Sequence, residues 1–300
     1  MAESNCTQAT EFILMGFMEN PVTQVTLFLI FLVTILGNLG MIGLIRASQQ
    51  LHSPMYYFLS NLSFVDLCSS TIITPRMLVD FLSGKKDISY AGCMAQVFIF
   101  DLFGMTECFL LAMMAYDRYM AICHPLLYPL VMSPKRCSQL VTGSYLMGLT
   151  NGMAQTISML KLSFCGSNII DLFFCDISVL ISLSTSDNTV SHIILRTAAS
   201  LLGVSSSLVV LVSYMAIIST ILSIRSAEGK RKAFSTCTSH LTAVSMFYGT
   251  SLFMYLKPSS DSSRKEDKWA TVFYAVVTPM LNPLIYSLRN KEVKEALRRL

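Results

Sequence analysis

Hydrophobic residues in this chain fall in long runs, not in strict alternation. Seven runs reach the ~20 residues that a ~30 Å hydrocarbon core demands. They are Val22 to Ile45, Met55 to Val79, Tyr90 to Tyr116, Cys137 to Leu160, Thr197 to Ile224, Ala233 to Leu256 and Trp269 to Leu288. Runs of this length predict membrane-crossing helices, so the expected fold is an all-α membrane protein. A seven-transmembrane helix bundle would occupy residues 22–288, with a tail of residues 1–21 before it. The polar residues Lys291, Glu292, Lys294 and Glu295 suit a short amphipathic helix within 289–300, lying on the membrane face.

Composition agrees with that pattern. Hydrophobic residues make up 53% of the 300, charged residues only 13%, and mean hydropathy is +0.57. Soluble domains carry about 25% charged residues. The net charge of +4 is spread thinly and gives no case for nucleic-acid binding. The opening MAESNCTQATEF lacks the basic start and short apolar core of a cleavable signal, so the first span is expected to direct targeting. Seven crossings put the termini on opposite sides. No Lys or Arg precedes the first span, while Arg289, Lys291, Lys294, Arg298 and Arg299 crowd the last segment. Basic residues stay on the inner side, so the N-terminus is expected outside and the C-terminus inside. Asn5-Cys6-Thr7 then becomes a glycosylation acceptor at Asn5. Asn61-Leu62-Ser63 fits the same pattern but falls within the second span.

Polar residues inside the runs narrow the function. Asn38, beside Gly37, suits an interhelical hydrogen bond at a close approach. Asp66 lies twelve residues past Pro54, ~18 Å along a helix, where a lone carboxylate costs ~3 kcal/mol. Glu107 precedes Arg118 by eleven residues, ~16 Å, at the same depth. The two acids are either protonated and hydrogen-bonded, or share a cation or a proton. Asp101 points from a different face than Glu107 and shares a stripe with Met105 and Cys108, Gly104 beside it. It is either a neutral acid in a polar core or a carboxylate that orients a ligand. Asp117, Arg118 and Tyr119 stand where the third run meets water; a solvated helix end is the plainest reading of such a pair.

Several classes are disfavoured. His52, His124, His192 and His240 are far apart, with no metal-ligand spacing, nucleophile elbow or phosphate loop, so an enzyme is not expected. A proton- or sodium-coupled transporter would use intramembrane acids, yet the repeats and paired broken helices of such proteins are missing. The acids are also too few for a channel.

Three strings together carry a resemblance: Pro54 to Asp66 (PMYYFLSNLSFVD), Met114 to Pro129 (MAYDRYMAICHPLLYP) and Lys232 to His240 (KAFSTCTSH). With Ser213-Tyr214 and Asn282-Pro283-Leu-Ile-Tyr286, they make the chain from Gly37 to Asn290 resemble the vertebrate olfactory receptors. These are a branch of the rhodopsin-like (class A) G-protein-coupled receptors. The resemblance implies a multi-pass plasma-membrane receptor that takes a small volatile odorant. Its partners would be membrane lipid and a heterotrimeric G protein of the stimulatory olfactory type, with cyclic AMP as the readout. The nearest alternative is a non-olfactory class A receptor for a small amine or another metabolite. In the resembling receptors Arg118, flanked by Asp117 and Tyr119, meets the G protein, and Tyr214 and Tyr286 swing toward it. Lys232, Ser235 and His240 form the sixth-helix switch, and Asn282 and Pro283 belong to the seventh-helix signature. Asp66 with Glu107 would hold a sodium ion or an exchangeable proton, the one non-protein component expected. Spacing and family pattern place the ligand against Asp101, Gly104, Met105, Ile177, Leu202, Ser251 and Tyr255. The same resemblance implies a Cys93–Cys175 disulfide. A second loop bridge is usual, but Thr185 stands where a cysteine would pair with Cys165. Cys165 is therefore expected to be a free thiol or to pair elsewhere.

Overall fold

The structure, a computed structural model, describes residues 9–16, 21–83, 86–256 and 269–299. Its long helices are α1 (Pro21–Ala47), α2 (Pro54–Ser83), α3 (Tyr90–Cys123) and α4 (Pro134–Leu160). They continue with α5 (Thr189–Ser223), α6 (Ala227–Leu256) and α7 (269–289). A short α8 (Lys291–Arg299) follows a bend of 81°. The seven long helices close a ring: each packs on the next, and α7 returns to α1. α3 runs up the middle against α2, α4, α5 and α6. Its 34 residues span about 51 Å, more than a bilayer core, so both its ends reach polar surroundings.

Long helices outrun the apolar stretches. α5 starts at Thr189, where Ser191, His192 and Arg196 interrupt the hydrophobic pattern, and α3 continues past Tyr116 to Cys123. Asp117, Arg118 and Tyr119 therefore sit within the helix, not at a solvated end, and Asp117 is fully buried. α5 and α7 each contain a π-helical turn, at Ala199–Gly203 and Phe273–Val277. One extra residue per turn rotates the side chains that follow, a device common at functional sites.

Close helix approach has visible causes. Asn38 Nδ2 donates to the Pro279 carbonyl at 3.1 Å, tying α1 to α7. A methyl at Gly37 would meet Pro283 Cγ at 3.1 Å, so that glycine sets the approach. On α4, Gly148 and Gly152 lie against the backbone of α3 at Leu102 and Phe98.

A small sheet caps one end. β1 (Glu11–Leu14) pairs antiparallel with β2 (Asp87–Ser89) and parallel with β3 (Ile169–Ile170), in the order β2–β1–β3. Phe12 and Leu14 are buried while Glu11 is exposed, the period-two pattern of a half-covered strand. Phe12 stacks edge-on against Phe164, 5.3 Å between centroids, in a cluster that includes Cys93 and Cys175. Those two cysteines are joined, closing 82 residues of separation. Cys165 is also disulfide-bonded. The other described cysteines are free or already paired, so its partner lies outside the described residues. Thr185 instead gives its hydroxyl to a hydrogen-bond pair: it accepts from the Cys165 N–H at 3.3 Å and donates to the Ser163 carbonyl at 3.0 Å.

Candidate functional site

Polar side chains gather at three levels of the bundle. At the level of the Asp117–Arg118–Tyr119 triplet, Arg118 Nε stands 3.6 Å from Asp117 Oδ2, too long for a hydrogen bond. One of its terminal nitrogens meets Met55 Sδ of α2. Asp117 is better held on its other side, where the Tyr128 hydroxyl donates to Oδ1 at 2.8 Å. Burial, with Asp117 adding to it, pushes the Tyr128 phenol up, so it stays a donor. The Tyr119 hydroxyl is 2.9 Å from His124 Nε2. Arg118 is thus nearly buried, its side chain 12% exposed, and only loosely restrained.

A tie across three helices lies just above it. The Leu111 carbonyl of α3 can only accept, so His240 Nε2 donates to it, at 3.1 Å. Nδ1 of the neutral ring then accepts from the Tyr214 hydroxyl of α5 at 2.6 Å. The two rings also stack, 5.8 Å between centroids. Tyr286 is buried on α7 with its hydroxyl unpartnered. α8 is anchored separately: the Tyr56 hydroxyl donates its proton to Glu292 Oε2 at 2.6 Å, with Asn290 Oδ1 3.1 Å away. Tyr56→Phe is expected to free the start of α8 at a cost of about 1 kcal/mol. Faster amide exchange across 291–299, with the rest of the bundle unchanged, is the readout; unchanged exchange would remove the anchor role.

At mid-depth Asn282 Nδ2 donates to Asp66 Oδ2 at 3.0 Å. Asp66 Oδ1 and Glu107 Oε1 remain buried without partners. Asp66 and Glu107 lie close enough for like charges to interact. Pro283, next to Asn282, sits inside α7, where it also meets Gly37.

Nearer the disulfide end, Asp101, Gly104 and Met105 of α3 are half-buried, as is Leu202 in the π-helical turn of α5. Ile177 is buried at the start of a short helix, Ile177–Leu183, in the loop after α4. Asp176 caps that helix, accepting from the Ser178 N–H at 2.8 Å and the Val179 N–H at 3.3 Å. Burial raises its carboxyl above the ordinary range, partly offset by those N–H groups. Ser251 spends its hydroxyl on the Phe247 carbonyl of its own helix. The structure adds residues that spacing did not single out: Phe100, Phe174, Ser206, Phe247, Tyr248 and Tyr274. Cys108 Sγ is 2.9 Å from Ser206 Oγ, and Tyr248 donates to the Cys108 carbonyl at 3.3 Å. The side chains of Lys232, Ser235 and Tyr255, and all of Asn5, lie outside the described residues.

Comparison with known proteins identifies what this bundle is. A family model described as olfactory receptor matches residues 27–300. Olfactory receptor 5G9 of Mus musculus is 54% identical over 303 aligned residues, covering 100% of this chain and 96% of its own. Olfactory receptor 5G3 of Homo sapiens shows the same identity and coverage. The olfactory receptor-like protein COR4 of Gallus gallus is 53% identical, covering 100% of this chain and 97% of its own. Among solved structures, squid rhodopsin superposes with a TM-score of 0.74 over 92% of this chain and 78% of its own, at 17% identity, which speaks for the fold alone. With the family model spanning nearly all of it and relatives more than half identical from end to end, this seven-helix chain, which shares the fold of squid rhodopsin, belongs to the olfactory receptor family, a family of receptors and not of enzymes.

Proposed function

We infer that the protein is an odorant receptor of the plasma membrane. It takes a small volatile ligand between its helices at the disulfide end and activates a stimulatory, olfactory-type G protein, raising cyclic AMP. The observation that carries this reading is the state of Arg118. A guanidinium nearly buried, with one long ion pair to Asp117, costs little to release but cannot stay unpaired in the bundle. It suits a group that exchanges a weak internal partner for one on another protein. Two features support the orientation. A disulfide needs an oxidising compartment, which favours an outer position for Cys93–Cys175, and the basic residues Arg298 and Arg299 of α8 suit the inner face.

Asp66, Glu107 and Asn282 fit a sodium ion or a shared proton, since two buried carboxylate oxygens there lack any partner. A cation would supply positive charge between the two acids. The residues' own contribution is to hold α2 to α7 at that depth, Asn282 donating to Asp66.

The test is cyclic AMP in cells expressing the chain with the olfactory stimulatory α subunit, against a broad odorant panel. A ligand-dependent rise that Arg118→Ala abolishes, at equal surface expression, is expected. A response that survives Arg118→Ala intact would falsify this role for Arg118.

A further inference from the structure

α3 is surrounded by other helices, and its middle is buried as that position demands: Thr106, Glu107, Cys108 and Leu110 to Ala112. Closer to the disulfide the pattern breaks. Every residue from Phe98 to Met105 is only half-buried. Phe98 and Leu102 turn toward Gly152 and Gly148 of α4, so the half exposure of Asp101 and Gly104, on another face, is what leaves open space beside α3.

Asp101 borders that space. The residue is half-buried, and its Oδ2 is shut off from solvent with no hydrogen-bond partner. Buried polar atoms in native proteins are almost always satisfied, so an orphan beside open space marks a missing donor. A neutral alcohol could provide a hydrogen bond. A second acid changes the balance: Asp176 of the covering loop is close enough to Asp101 for the two charges to repel. A positive group would do two things there, donating to the orphan oxygen and placing opposite charge beside the two acids.

Aromatic rings complete the surroundings. Phe100 of α3 lies 5.1 Å from Phe174 of the loop and 5.9 Å from Tyr274 of α7, between centroids. The Tyr274 hydroxyl sits 3.1 Å from where a Cβ at Gly104 would be, one helical turn from Asp101. Phe100 is next to Asp101 in the chain and Tyr274 meets the turn that follows, and aromatic ring faces attract an ammonium more than a neutral head group. Seven residues further along α3, about 10 Å, Cys108 with Ser206 and Tyr248 closes the floor.

We propose that Asp101 anchors a protonated aliphatic amine, its nitrogen on the carboxylate beside the aromatic rings and its alkyl chain running toward Cys108. The ligand class rests on the odorant-receptor reading above, but its test does not depend on G-protein coupling. The full-length chain, purified in detergent, is heated with hexylamine or octylamine and with the alcohols of matching length. Amines are expected to raise the melting temperature at concentrations about tenfold to a hundredfold below those the alcohols need, the advantage of a charged hydrogen bond over a neutral one. Asp101→Asn keeps the side chain's shape and should erase that preference; Asp101→Glu should restore part of it. Equal stabilisation by amine and alcohol, an amine preference that persists in Asp101→Asn, or no stabilisation by either amine on a folded receptor overturns the proposal. Amine binding with no cyclic AMP response would overturn the coupling and leave the ligand class standing.

Discussion

Gly148→Leu is expected to remove the receptor from the cell surface. A Cβ at that position would run into the Leu102 carbonyl and Thr106 Oγ1 of α3. The Thr106 hydroxyl is itself committed, donating to that same Leu102 carbonyl at 2.7 Å. Neither obstacle is the free end of a flexible side chain, so α4 must back away from α3 along its length. Gly152, one turn on, is nearly as confined: its Cβ would meet the Phe98 carbonyl at 3.0 Å. The pair makes a small-residue seam, which lets two membrane helices gain dispersion contact backbone to backbone. Overpacking such a seam costs about 3 kcal/mol or more, a large part of a typical stability. Gly143→Leu is the control, since nothing lies within 4 Å of a Cβ there. Flow cytometry on intact cells and the melting temperature of purified protein measure both. If Gly148→Leu matches Gly143→Leu in both, the seam does not set the packing of α4.

The seam is legible in the sequence: Gly148 and Gly152 are spaced by four within an apolar run, the pattern that brings helices close. The long helices, and the positions of Asp66 and Glu107 along α2 and α3, follow from run length and rise per residue, because these are one-dimensional quantities. Pairings across the fold are different. Tyr56 and Glu292 are 236 residues apart, and Thr185 gives no sign in sequence that it bonds the backbone of Cys165. β1 was hidden for another reason. Four residues, Glu11 to Leu14, are too few for periodicity, and only the partners Ile88 and Ile169 make them a strand. The aromatic residues near Asp101 come from α3, α6, α7 and a loop. No spacing within one helix could gather them. Helix ends lie beyond the apolar runs where polar residues continue a helix, as Ser191, His192 and Arg196 do in α5.

His240→Phe should raise cyclic AMP in the absence of any odorant. His240 holds α6 to α3 through the Leu111 carbonyl and to α5 through Tyr214. Phenylalanine keeps a ring that can still stack on Tyr214, so the substitution removes the two hydrogen bonds and little else. A neutral buried hydrogen bond is worth about 1 kcal/mol net, and losing two weakens the state that contains them by about 1–2 kcal/mol. At 1.4 kcal/mol per tenfold, the active population rises about fivefold to thirtyfold wherever it is still a small minority. That outcome requires the tie to belong to the resting arrangement, as does the weak Arg118–Asp117 pair seen with it. Tyr214→Phe separates the tie from mere loosening of the bundle. The same hydroxyl would be needed near Arg118 once α6 has moved, so its loss penalises both states and basal signalling should not rise. Basal cyclic AMP at matched surface expression measures both variants. A flat or lowered baseline in His240→Phe would mean that the His240 tie is kept through activation, and α6 would have to move with α3 rather than away from it.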